Sequence, residues 1–263
     1  MKTTKKPGEV AAVASSAAAA PIDWTQYETT GFDNVSQEDL GIPFLQVLQK
    51  GSPEVDKSSP EYKQYGILGA EAGDIMLTTS RTIIHKNGAE PLKVIPCAFE
   101  KLFMEWKPRD SGGGLVKSHR DAIILMECRR NERNQDVLKN GNLIVTTNYF
   151  YCLLHHNEKW EQVVIGMSST QQKKARQWLN MMINLRVQLP NGNKITPPMF
   201  SHAYLLGTQV ESNEKGSWFG WKVEIAQPVT FPDVLSDAQH IAKKVSSGTV
   251  RASLPPSSST EVV

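Results

Sequence analysis

The residues best placed to do chemistry lie between Phe99 and Arg120, where aromatic and cationic side chains interleave in a strand-like run that opens into glycines. Phe99, Lys101 and Phe103 share one alternating face, Trp106-Lys107-Pro108-Arg109 follows, and Gly112-Gly113-Gly114 leads on to Lys117 and Arg120. Flat π-faces beside fixed positive charges suit a polyanion with stackable bases, which is single-stranded nucleic acid. A lysine between two aromatics on one face argues against a deep interior there. It leaves Ala98, Leu102, Met104 and Trp106 to point inward, with Trp106 at the sheet edge.

Two more strands repeat the pattern. On 143–154 the face carrying Thr147, Tyr149 and Tyr151 lies opposite Phe150, Cys152 and Leu154, and the tyrosines are the expected contact residues. On 217–229, Phe219, Trp221, Val223 and Ile225 are expected inward, with Trp218, Lys222 and Glu224 outward. A single aromatic in a strand is more often core than contact. Three separate faces that pair rings with polar or basic groups shift the balance toward binding. Arg129-Arg130 with Arg133, and Lys173-Lys174 with Arg176, add cations. The second cluster opens a predicted helix, whose free amides also favour an anion. Each cluster alone reads as a solvated face, but around one groove they would neutralise phosphates additively.

No catalytic constellation stands beside these residues. His155-His156 falls at a predicted hairpin tip, with no Cys or carboxylate at zinc-site spacing. The glycine triplet lacks the Gly-Lys-Ser/Thr of a phosphate-binding loop, so it reads as a flexible hairpin or loop tip. Asp110 and Asp121 flank it without a third carboxylate. The expectation is a protein that is not an enzyme, with no catalytic residue, metal or cofactor.

These residues must be positioned by a mainly extended chain. Runs rich in β-branched and aromatic residues cover 42–48, 73–85, 92–106, 122–130, 143–155, 160–167, 200–211 and 217–229. The loops 155–159 and 212–216 make two of these pairs into hairpins. A first helix is predicted from Ser169-Thr170, as N-caps, to Leu185 or Arg186, with Ala175, Trp178, Leu179 and Met182 on its apolar side. A second runs from Phe231 to Val245 and stops at Gly248. Many strands without βαβ alternation point to an antiparallel barrel or sandwich.

The chain has 263 residues, 40% of them hydrophobic, and six Trp, enough for a substantial core. Its 29 Lys and Arg against 27 Asp and Glu give a net charge of only +2, so any nucleic-acid reading rests on local clustering. Cys97, Cys128 and Cys152 read as buried free thiols of a reducing cytosol. No segment offers the roughly 20 consecutive apolar residues of a membrane span, and a soluble, intracellular protein is expected. Composition sets three expected parts: a disordered N-terminal arm at 1–21, a binding domain at 22–248 and a disordered tail at 249–263.

Several stretches resemble phage-encoded single-stranded DNA-binding proteins of the OB-fold type. They are Ile42-Pro43-Phe44-Leu45-Gln46-Val47-Leu48-Gln49 with Ser52-Pro53-Glu54, Gly69 to Ile75, Val94-Ile95-Pro96-Cys97 leading to Glu105 to Arg109, and Ser168-Ser169-Thr170-Gln171 with Lys173-Lys174-Ala175-Arg176. The likeness covers about residues 40 to 190. It implies an elaborated OB-like antiparallel barrel with two peripheral α-helices and disordered termini. The implied role is non-catalytic coating and protection of single-stranded DNA in phage replication and recombination, in the cytoplasm of an infected bacterium. Phage or host replication proteins, or a second copy of the chain, are candidate partners, and no membrane is expected. The C-terminus departs from the pattern: 255–263 carries one carboxylate side chain, Glu261, where such proteins end in an acidic recruiting tail.

The combined expectation is binding with little sequence preference. Bases stack on Phe99, Phe103, Trp106, Tyr149, Tyr151 and Trp218. Phosphates lie along Lys101, Lys107, Arg109, Lys117, Arg120, Arg129, Arg130, Lys173, Lys174, Arg176 and Lys222. The competing expectation is a phage structural or protein-interaction β-sandwich whose basic clusters are incidental.

Overall fold

A computed structural model describes residues 41–214 and 216–250. The expected arm at 1–21, the domain residues 22–40 and the tail from Arg251 lie outside them. The described chain is mainly β, in keeping with its β-branched and aromatic runs.

In chain order the elements are β1 (Phe44–Val47), α1 (Tyr62–Tyr65), β2 (Ile75–Leu77), β3 (Thr82–His85), β4 (Leu92–Trp106), β5 (Leu115–His119), β6 (Arg129–Arg130), β7 (Asp136–Val137), β8 (Leu143–His156) and β9 (Lys159–Ser168). They continue with α2 (Gln172–Ile183), β10 (Val187–Gln188), β11 (Lys194–Ile195), β12 (His202–Asn213), β13 (Gly216–Pro228) and α3 (Pro232–Ser246). Eleven strands form one open, curled sheet in the order β13-β12-β4-β8-β9-β1-β2-β3, with β5 beside β4, β7 beside β8 and β6 outermost on β7. β10 and β11 make a separate two-stranded ribbon. All pairings are antiparallel except β1 with β9, where Phe44 lies beside Val164.

The long ribbon of β4 and β8 organises everything else. The start of β4 pairs with β12 through Leu92 to Val94, and its far end pairs with β5 through Phe103 to Trp106. β8 likewise meets β9 along 147–156 and β7 at Leu143 and Ile144. The longer inner parts therefore build the body of the sheet. The outer ends of β4 and β8, flanked by β5 and by β7 and β6, form an arm of the sheet. Pro96 marks the change: it has no N–H for a ladder, and the register shifts between Pro96 and Ala98.

Both faces of the body are covered, which explains why 149–154 is buried at every position. On one face, Ala175, Trp178 and Met182 of α2 pack with Phe150, Cys152, Leu154, Val163, Ile165 and Tyr204. Trp178 stacks on Phe150 with ring centroids 4.4 Å apart. On the other face, Val234, Ala238, Ile241 and Val245 of α3 pack with Ile95, Cys97, Tyr149, Tyr151 and Leu153.

Several expectations are corrected in detail. The run 122–130 is not a strand: Ala122–Glu127 forms a 3₁₀ helix capped by the Asp121 carboxylate, and only Arg129–Arg130 is extended. Asp121 accepts the Ile123 N–H at 2.9 Å, a local bond that favours a helical turn. The run 73–85 breaks into β2 and β3 at Arg81, whose φ is 54°. The first helix begins at Gln172 after a 3₁₀ turn, Ser169–Gln171, without a side-chain cap. The loop at His155-His156 is tighter than expected. β8 and β9 run through His156 and Lys159, leaving Asn157 and Glu158 as a two-residue turn with φ of 49° and 63°.

Candidate nucleic-acid interface

Strand pairing decides which expected site residues share a face, because directly opposed residues point the same way. Phe99 opposes Phe150, Lys101 opposes Asn148, Phe103 opposes Thr146 and Glu105 opposes Ile144. Across the other edge of β4, Phe103 opposes His119 and Glu105 opposes Lys117. Phe150 belongs to the core under α2, so Phe99, Lys101, Phe103 and Lys117 all lie on the α2 face. The Gln172 side chain also donates to the Thr146 carbonyl at 3.3 Å, seating the start of α2 beside the arm. Arg176 follows Gln172 by four residues and shares its flank.

The arm carries one buried carboxylate on that face. Glu105 accepts from Asn142 at 2.5 Å and meets the His119 ring at 2.8 Å. Asn142 and His119 together hold its carboxyl below the ordinary value, so it stays ionised. Its role is structural, tying β5 and the 138–142 turn to β4.

The expected cations divide into three groups. Among the described residues, Lys101, Lys107, Lys117, Arg129, Lys173 and Arg176 are exposed and carry no ion pair. Arg120 pairs with Glu100 at 2.9 Å, Arg130 with Asp136 at 3.0 Å, Lys174 with Glu211 at 2.7 Å and Lys222 with Glu224 at 2.8 Å. Arg109 lies in a 3₁₀ turn at the tip of the β4–β5 hairpin. The two faces also differ. Glu100 opposes Tyr149 on the α3 side, where Arg120 joins it. Arg129 opposes Val137, Val137 opposes Leu143 and Leu143 opposes Trp106, so Arg129 lies on that side too. Lys174 and Lys222 meet at a small cleft between α2 and β13, with Gln177, Trp178 and Gln209.

The expected stacking surface is corrected. Phe103 is 4% exposed, Tyr149 5% and Tyr151 0%. Phe103 is hemmed between His119 and Thr146 in the centre of the arm. The two tyrosines belong to the core under α3, where Tyr149 packs edge-on against Phe44 and the Tyr151 hydroxyl bonds Glu100 at 3.0 Å. Alternation had implied one solvated face on β8, and α3 removes it. Phe99, Trp106 and Trp218 are half-buried, with Phe99 resting on Phe150 and Trp106 against the α3-side core. Ile225, expected inward, is 43% exposed.

The glycine triplet forms the turn of the β4–β5 hairpin. Gly112, Gly113 and Gly114 have φ of 96°, 62° and 98°, a left-handed path that disfavours side chains. The turn is closed by Gly113 N–H to the Pro108 carbonyl and Lys107 N–H to the Gly114 carbonyl. Sequence reasoning missed the cleft beside β6, lined in part by Met126 and Lys139. Its walls are a 3₁₀ helix and a two-residue strand, too short to leave a periodic signal. Among the described residues no group of three His, Cys, Asp or Glu could hold a metal ion, and no helix is long and apolar enough to cross a membrane.

Fold and surface define a mainly β protein whose open curled sheet carries a cation-studded arm. The chain belongs to the Pam3 phage gp34-like protein family, whose pattern matches residues 11–251, and it is a phage protein. No curated protein and no solved structure gives a significant match.

Proposed function

We propose that this phage protein binds single-stranded DNA without catalysis, held mainly by its phosphates, during replication or recombination. One observation carries the reading. Lys101 and Lys117 stand unpaired on the sheet face against which α2 packs, and unpaired Arg176 lies on the flank of α2 that meets the arm at Gln172. A cationic sheet face flanked by the first turns of α2 suits a flexible polyanion, because each phosphate contact releases counterions. On that face the half-buried ring of Phe99 replaces the sealed Phe103 as a place for a base to rest, while Trp106 lies on the α3 side and Trp218 on the outer hairpin.

The test is charge reversal with an internal control. Lys101→Glu and Arg176→Glu each weaken oligo-dT binding several-fold. Lys243→Glu, on α3, leaves it unchanged. Equal binding by all three variants removes this interface.

A second reading, a protein-interaction role without nucleic acid, draws on the outer hairpin. There Val210 is 65% exposed and Ile225 43%. Failure of the wild-type chain to bind any oligonucleotide favours it.

A further inference from the structure

The edge of the arm holds a cleft of about 560 Å³ between the 3₁₀ helix that precedes β6 and the 138–140 turn that follows β7. The volume lies in the range of small-ligand sites. Its lining is chemically mixed. Met126, 85% exposed, and half-buried Leu138 supply apolar walls, while Arg129, Lys139, Glu127 and Asn140 supply charge and hydrogen-bonding groups.

The wall that carries Asn140 is pre-set. Its side-chain oxygen accepts the Asn142 N–H at 3.0 Å, and Leu138 N–H donates to the Asn142 carbonyl at 2.8 Å. Gly141, with φ 87°, completes the turn. Asn142 in turn donates to buried Glu105, so the turn is anchored to the centre of the arm.

A ligand can be deduced from this lining. A purely apolar guest would leave Arg129, Lys139 and Glu127 unanswered. A bare anion would ignore Met126 and Leu138 and oppose Glu127. A flat ring with N–H donors, joined to a phosphate, answers the apolar and the charged groups together: the thioether and Leu138 take the ring, Glu127 accepts from it, and Arg129 with Lys139 take the phosphate.

We propose that this cleft seats one unstacked nucleotide of the bound strand. The proposal rests on the reading of the chain as a single-strand binder and adds to it a base-holding site away from the α2 face. β6 is the outermost strand of the arm, so a polymer lying along the arm reaches the cleft over that edge.

The experiment uses the full chain and a 5-iodouracil-substituted oligo-dT, with ultraviolet cross-linking mapped by mass spectrometry. Binding of the same oligonucleotide is measured for wild type, Met126→Asp and the double variant Arg129→Ser/Lys139→Ser, with unchanged melting confirming the fold. The expected result is a cross-link on the peptide carrying Met126 or Leu138, and affinity lowered roughly fivefold in both variants. Strong binding with cross-links confined to other peptides and full affinity in both variants overturns the cleft and leaves the general reading standing. If the oligonucleotide does not bind, deoxycytidine monophosphate is titrated calorimetrically. Uptake that Met126→Asp abolishes keeps the cleft and sinks the general reading, whereas no uptake overturns both.

Discussion

Gln49 pairs with Phe219 through both backbone groups of the phenylalanine: its side-chain amide donates to the Phe219 carbonyl and accepts the Phe219 N–H, each at 2.9 Å. A side chain thus reproduces the two bonds of a strand pair and ties the segment after β1 to the free edge of β13. Nearby, Trp221 N–H donates to the Gln171 side chain at 3.2 Å, and the Thr208 hydroxyl donates to the Gly73 carbonyl at 2.6 Å. An open edge strand invites pairing with another chain, and here glutamine amides blunt the first half of it. Replacing Gln49 by Leu strands two backbone groups and lowers stability by about 1–3 kcal/mol. Urea unfolding reads the loss, and an unmoved midpoint contradicts it.

The same junction sets a second expectation at Gly73. Its φ is 95°, and a Cβ there would lie 2.6 Å from the Phe219 ring. Gly73→Ala therefore strains the backbone and pushes the ring at once, costing more than about 1 kcal/mol. Thermal melting of this single variant checks it.

Acid sensitivity is expected from Glu105. Hydrogen bonds from Asn142 and His119 lower its folded-state pKa below the ordinary 4.5. A carboxyl depressed in the folded state adds stability that is present above its unfolded value and is lost as pH falls through the folded one. The urea midpoint of wild type should drop between about pH 6 and pH 3 by more than that of Glu105→Gln. Parallel pH curves for the two proteins rule this group out as a source.

The three cysteines should differ in reactivity. Burial pushes the Cys97 thiol up to about 12 and holds Cys152 well above the ordinary thiol value, while half-buried Cys128 is raised by burial and by nearby Asp136. Thiolate is the reacting form, so a disulfide reagent should label Cys128 slowly and the other two only after denaturation. Rapid labelling of all three in the native chain contradicts the packing described.

Much of this architecture was legible in the residues. Leu92–Trp106 matches its predicted limits, and the helices at Gln172 and Pro232 follow their apolar spacing. Long elements with a clear period carry their own signal. The misreadings share one cause. Tyr149 and Tyr151 read as a solvated face because alternation assumes that one side of a sheet meets water, and no local feature announces that α3 returns to cover it. Ala122–Glu127 read as a strand because Ile-Ile-Leu-Met fits either state, and the Asp121 cap decided the matter. For the interface, charge was legible but pairing was not. Arg120 and Lys174 are paired by Glu100 and Glu211, which register and helix packing bring to them, whereas Lys101 meets no carboxylate among the described residues. Only Lys222 with Glu224, two residues apart on one strand, could be read locally.

The most direct test of the central claim is a filter-binding titration of the full chain with oligo-dT and with a duplex of equal length, each at two salt concentrations. The account predicts tight binding to the single strand, weaker binding to the duplex, and a loss of affinity with salt that becomes shallower in Lys101→Glu. Undetectable or salt-insensitive binding of oligo-dT contradicts it.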